Sequence, residues 1–344
     1  MRKLVAVVLG LAVIAGTGAF TTPKLHPSWQ LTDTGVTARF RGLAPVSARV
    51  AWAAGSAGTI LRTVDGGRSW QSVGPPGVEE LQFRDIEAFD AHNAVALTIG
   101  EGTDSRLYRT TDGGRSWTEV FRNDEPTAFY DCITFLDRRH GLALSDPVGG
   151  KFRILATADG GRTWAVRDPA GMPAALPGEF AFAASGTCLV SAGGRAFFAT
   201  GGGERSRVFT SDDRGRSWHV TDSPLPSGEA AGIFSLAFRD RRHGIAVGGD
   251  YLTPTAAPDG SATTRDGGRT WTVSRRVPGE YRSGATFVVG TVALAVGPTG
   301  SDWSLDGGRT WTRFDTGSFD AVLCARDLSC WASGENGRIA KLRF

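Results

Sequence analysis

Short apolar runs separated by polar turns recur along the chain, and four of these runs end in the same way. Thr59–Arg62, Arg106–Arg109, Phe152–Ala156 and Arg207–Thr210 read as strands, each followed by a polar turn that closes on a tryptophan. The turn first occurs as Thr63-Val64-Asp65-Gly66-Gly67-Arg68-Ser69-Trp70. It returns with Asp112 and Trp117, Asp159 and Trp164, Asp213 and Trp218, Asp266 and Trp271, and Asp306 and Trp311. Successive tryptophans stand 47, 47, 54, 53 and 40 residues apart. A period of roughly 40–50 residues marks a propeller or another repeat array.

The spacing inside this eight-residue box has a physical reading. Asp-Gly accepts the positive φ of a tight turn. The Asp carboxylate can accept amide N–H groups across the turn, and the leading Ser or Thr hydroxyl can bond locally. The Trp opens the next strand with ~200 Å² of surface to pack between neighbouring sheets. The six aspartates and six tryptophans are therefore read as structural staples, one per sheet, and not as catalytic groups. A second turn repeats upstream of the box. Phe135-Leu136-Asp137-Arg138-Arg139-His140-Gly141 matches Phe238-Arg239-Asp240-Arg241-Arg242-His243-Gly244, and Phe89–His92 is a weaker copy. Each unit thus holds four strands, the blade of a β-propeller. His92, His140 and His243 fall in three different blades, which argues against a shared metal or catalytic site.

The chain ends raise the blade count from six to seven. Residues 318–344 supply three strands (Asp320–Ala325, Cys330–Ser333, Gly337–Arg343) and stop before any box, while Ser28-Trp29-Gln30 copies Ser69-Trp70-Gln71. The expectation is an all-β, seven-bladed propeller over residues 20–344, with the N-terminal strand completing the last blade and leaving no open seam.

Composition agrees: 47 glycines in 344 residues supply turns, and 41% apolar residues supply a core. A net charge of only +3 argues against electrostatic nucleic-acid binding. Arg2-Lys3, the apolar run 4–15 and the small residues Gly16–Ala19 read as a secretory signal over residues 1–19, so the mature chain is expected outside the cytoplasm, secreted or periplasmic. An uncleaved anchor is the alternative, although the run is shorter than the ~20 residues of a span. Cys324 and Cys330 would face each other across a hairpin as a local disulfide. Cys132 and Cys188 either pair or stay as buried thiols, and thiols are the expectation. No C-x-x-C exists, and Gly201-Gly202-Gly203 lies in a loop without a helix to cradle a pyrophosphate, so no metal or cofactor is expected.

The box is similar to the Asp-box, or bacterial neuraminidase repeat. The fuller unit G-x-x-x-R-T-x-D-G-G-R-T-W, carried around seven blades, resembles the photosystem II assembly and stability factor group over about residues 26–344. That resemblance implies a secreted or lumenal, non-catalytic scaffold binding a membrane-protein client, and the expectation is an exported monomer with an envelope or membrane-protein client. The client does not carry over, because nothing in the sequence indicates a photosynthetic host. A carbohydrate-active protein, either a glycoside hydrolase, sialidase-like, or a lectin-like glycan binder, is the alternative. Sialidases also carry the box, but their Arg-Ile-Pro signature finds only Arg153-Ile154-Leu155 here, without the Pro.

Loops between blades, and between second and third strands, open on the face opposite the boxes. Aligning the blades puts Phe83-Arg84-Asp85, Phe129-Tyr130-Asp131 and Phe319-Asp320 at inner-strand entrances on that face, with Tyr281-Arg282 close by. The candidate mouth therefore carries Arg84, Asp85, Tyr130, Asp131, Arg282 and Asp320. Two long loops, 168–182 and 248–261, are places where specificity is added. Asp250 and Tyr251 are the candidate contacts of the second, and Asp146 occupies the equivalent loop of blade 3. These residues read either as a mixed-charge binding ring or, for the aspartates, as caps on their own strands.

Overall fold

The computed structural model describes residues 26–344. The expected signal segment, residues 1–19, lies outside the described residues. Twenty-eight strands form seven antiparallel sheets of four. Blade 1 runs outward through Phe40–Pro45, Ala51–Gly55, Ile60–Thr63 and Gln71–Ser72, and blades 2 to 6 repeat this order along the chain. Blade 7 consists of Ala321–Cys324, Cys330–Ser333 and Ile339–Arg343, completed by Ser28–Thr32. The N-terminal strand pairs antiparallel with Ile339–Arg343, from Ser28 opposite Arg343 to Thr32 opposite Ile339. Each inner strand packs on the next, and blade 7 packs on blade 1, so the ring is closed.

The core lies between sheets, and the repeat tryptophans supply much of it. Trp70 of blade 1 meets Trp331 of blade 7 edge-on at 5.9 Å, and Trp117 of blade 2 meets Trp52 of blade 1 at 6.3 Å. The turns before them are tied by their own side chains. Asp159 Oδ1 accepts the Thr157 hydroxyl (2.8 Å) and the amides of Arg162 (2.9 Å) and Thr163 (3.0 Å), and Oδ2 accepts the Thr163 hydroxyl (2.7 Å). Thr157 Oγ1 in turn accepts the Gly161 amide at 3.0 Å. Blade 4 has Arg214 where the others have the first glycine, and it adopts the same positive φ, 63°.

Both cysteine pairs are bonded. Cys324 and Cys330 are opposite each other in the blade 7 hairpin. Cys132 and Cys188, expected as thiols, form a disulfide with Cα atoms 6.1 Å apart. The reason is positional. Cys132 is on the inner strand of blade 3, and Cys188 immediately precedes that of blade 4. The inner strands converge on the axis, so two residues 56 apart in sequence become neighbours across a blade seam.

Candidate functional site

The mouth is built by a defect repeated in the inner strands. Blades 1, 2, 3 and 5 each carry a register shift near the start of the inner strand: between Phe40 and Gly42, Phe83 and Asp85, Tyr130 and Cys132, and Ile233 and Ser235. A bulge leaves one residue outside the ladder and re-aims its side chain. The four bulged residues are Arg41, Arg84, Asp131 and Phe234, and all four line one cavity of about 640 Å³. The residue before each bulge (Phe40, Phe83, Tyr130, Ile233) is fully buried in the core.

This register corrects the sequence alignment of blade 3. Arg84 corresponds to Asp131, so Asp85 corresponds to Cys132 and not to Asp131. Tyr130 accordingly points into the core. Asp85 is buried below the mouth, where its carboxylate accepts the amides of Ile133 (2.7 Å) and Ile86 (2.8 Å). It closes on Gly186, where an added Cβ would lie 2.4 Å from Oδ1 and where φ is +73°, so only glycine fits. Arg282 is also corrected. It has no exposed surface and pairs with Asp302 at 2.6 Å, while the preceding Tyr281 lines the cavity instead. Asp250 caps its own loop by accepting the Leu252 amide at 2.8 Å. Arg84, Asp131, Asp146, Tyr251 and Asp320 do lie on one wall or another of the cavity.

The lining divides by blade. Blades 7 and 1 contribute Asp320, Arg39 and Arg41, and Arg39 clasps Asp320 through two bonds of 2.7 Å. Arg41 stands 3.8 Å from the same carboxylate. Blade 2 contributes Arg84, which donates to the Ala183 carbonyl at 3.0 Å, and Glu101. Blade 3 contributes Phe129, Asp131 and Asp146. Blades 4 to 6 contribute aromatic rings. Phe182 stacks on Phe234 at 3.8 Å, Phe234 meets Tyr281 edge-on at 4.7 Å, and Tyr251 stands at the rim, half exposed. The cavity therefore has a charged arc and an aromatic arc.

Electrostatics differ within the charged arc. The hydrogen bonds it donates to Asp320 raise the Arg39 guanidinium, whereas burial lowers that of Arg41. Burial pushes the Asp131 carboxyl well above the carboxylate range, and the neighbouring Asp146 adds to the effect. Burial likewise raises Asp146 to about 7, against the opposing hydrogen bond from the Ala181 amide. Among the described residues, no group of three or more His, Cys, Asp and Glu side chains gathers to hold a metal ion.

Sequence reasoning missed Arg39, Arg41, Phe180, Phe182 and Phe234. Phe40-Arg41-Gly42 and Ile233-Phe234-Ser235 repeat the pattern of a core residue, a variable residue and then a residue facing the next blade, but only the bulge makes them equivalent to Phe83-Arg84-Asp85. Phe180 and Phe182 lie at the end of the long loop 168–182, and nothing in its composition singles them out.

The chain matches no family model and no curated protein. It is similar in fold to solved propellers. YCF48 bound to a D1 peptide superposes with a TM-score of 0.64 at 14% identity, covering 91% of this chain and 96% of that one. YCF48 from Cyanidioschyzon merolae gives 0.64 at 16% identity, over 91% and 98%. The Neurospora crassa Pan2 WD40 domain gives 0.60 at 11% identity, over 90% and 89%.

Proposed function

We propose that this protein is an exported, monomeric, non-catalytic scaffold that holds a polypeptide segment of an envelope or membrane-protein client in the mouth of the propeller. The observation that carries this reading is the divided lining of the cavity. Its volume of about 640 Å³ is that of a ligand site. One arc offers an apolar wall, with Tyr251 half exposed beside the buried Phe182, Phe234 and Tyr281, and the other offers carboxylates and guanidinium groups to polar side chains. An amphipathic peptide uses both arcs. A propeller of similar fold solved with a D1 peptide bound adds support.

The test is selection of heptapeptides from a random display library on the immobilised mature chain. Each enriched peptide is then titrated against Phe182→Ala and, on the opposite face, Arg309→Ala. The reading expects Phe182→Ala to weaken binding about tenfold or more, at the ~1.4 kcal/mol per decade of affinity, and Arg309→Ala to leave it unchanged. The reverse pattern contradicts the mouth as the binding face.

One observation favours a second reading, glycoside hydrolysis: two carboxyls, Asp131 and Asp146, share the cavity, and acid–base hydrolysis uses such a pair. Its sialidase-like form would need three arginines free to converge on the substrate's carboxylate, whereas among the described residues Arg39 is tied to Asp320 and Arg84 donates to a backbone carbonyl. Turnover of chromogenic glycosides that disappears in Asp131→Asn would establish the second reading over the first.

A further inference from the structure

The carboxylates of the cavity are not alike. Asp320 has Arg39 and Arg41, and Asp302 and Glu179, buried elsewhere, have Arg282 and Arg207. Among the described residues, neither Asp131 nor Asp146 has an ion-pair partner. Asp131 is 1% exposed, and its Oδ2 has no hydrogen-bond partner. Asp146 Oδ1 accepts the Ala181 amide at 2.8 Å, and no donor from the described residues reaches its Oδ2.

The two acids are brought together by paired defects. Asp131 is the bulged residue of the inner strand of blade 3, and Asp146 sits in the register shift between Ser145 and Pro147 on the adjoining strand. The Ala181 amide that Asp146 holds lies between Phe180 and Phe182, so the acid pair adjoins the aromatic wall. A buried carboxylate with a free oxygen, a second carboxylate beside it and rings alongside describe a receptor for a cation with an apolar stem.

We propose that Asp131 and Asp146 form an ammonium subsite that takes a lysine side chain of the bound peptide, its methylene stem lying on Phe180 and Phe182. This rests on the peptide reading above. The free acceptors are spread over two separate carboxylates. They suit the three radiating donors of an ammonium better than the planar fork of a guanidinium, which prefers both oxygens of one carboxylate.

The protonation of the pair supports the assignment. Burial raises both carboxyls, so the empty pair retains a proton near neutral pH, and an arriving cation expels it. Arg84, on the inner strand of blade 2, lines the same cavity but is held by Ala183, and Glu101 from blade 2 adds negative charge. Binding should therefore release a proton and tighten as pH rises through about 7.

Four heptapeptide pools differing only in a central Lys, Arg, norleucine or Glu, together with the small probe Nα-acetyl-lysine methylamide, test this by calorimetry in buffers of different ionisation enthalpy. The Lys pool should bind about tenfold or more tighter than the norleucine pool, the scale of a charged hydrogen bond. It should release a proton, and the advantage should vanish in Asp131→Asn and in Asp146→Asn. Asn has the shape of the protonated acid that burial favours at Asp131, so the melting temperature of Asp131→Asn should hold at pH 8, which keeps the variant interpretable. Equal Lys and norleucine binding overturns the subsite and leaves the peptide reading standing. Binding of the small probe alone, with proton release and loss in both variants, supports the subsite and overturns the peptide reading. An Arg pool as tight as the Lys pool overturns the choice of ammonium, and no binding of any probe overturns both proposals.

Discussion

At a repeat turn, one aspartate satisfies several donors at once. The Ser116 hydroxyl, followed by the Ser116 amide, holds Asp112 at about 2, and at Asp159 the donors from Thr163 and Thr157 outweigh burial and leave it at about 2. Because these values lie below the ~3.9 of a free Asp, the unfolded chain takes up protons first as the pH falls. The stability carried by the box aspartates is present above about pH 4 and is lost as the pH falls through about 2. The carboxylates are at the surface, so each bond is worth little. Asp159→Ala should cost about 1 kcal/mol, the size of losing a helix N-cap, with peptide binding unchanged. Urea melts of the variant and of the parent check the first, and titration of an enriched peptide checks the second. A binding loss in a fully folded variant would overturn the structural role. These residues were legible in the sequence because their partners lie within four positions. Asp85 and Arg282 were not, because what each faces depends on a bulge or on a neighbour 20 residues away.

Among elements, the hairpins and the closing strand were legible and the bulges were not. Hairpins announce themselves by turn residues, and Ser28-Trp29-Gln30 matched the start of an outer strand. A bulge adds one residue without a composition signal, and slipping the count by one turns a side chain from the core to the mouth. That is why Tyr130 was placed at the mouth and is in the core. The closing strand does more than pair. Trp29 Nε1 donates to Ser301 of blade 6 at 2.9 Å, and its ring packs on Phe314 and Phe319. Removing residues 20–34 exposes the edge of Ile339–Arg343 and strips this seam. The melting temperature should fall by about 5–10 °C, at ~1.5 °C per kcal/mol for ~320 residues with ~2.1 cal/mol/K of unfolding entropy each. A deletion that melts with the chain 20–344 would contradict closure by that strand.

Across the whole molecule, the ring sorts chemistry by blade. The box turns repeat six times on one face and serve six of the seven sheets alike. On the other face the repeats diverge: equivalent bulged positions hold Arg41, Arg84, Asp131 and Phe234. Structure is thus carried by what the blades share, and recognition by what they do not. Repetition made the fold readable from the sequence, whereas divergence made the site hard to read, since each mouth residue occurs once. The central claim is that a peptide lies in this mouth. Hydrogen–deuterium exchange of the chain 20–344 with and without an enriched heptapeptide checks it. The account predicts slowed exchange in residues 127–131, 180–184 and 251–254, with the box turns unchanged. Slowed exchange confined to the box turns or the outer strands would contradict it.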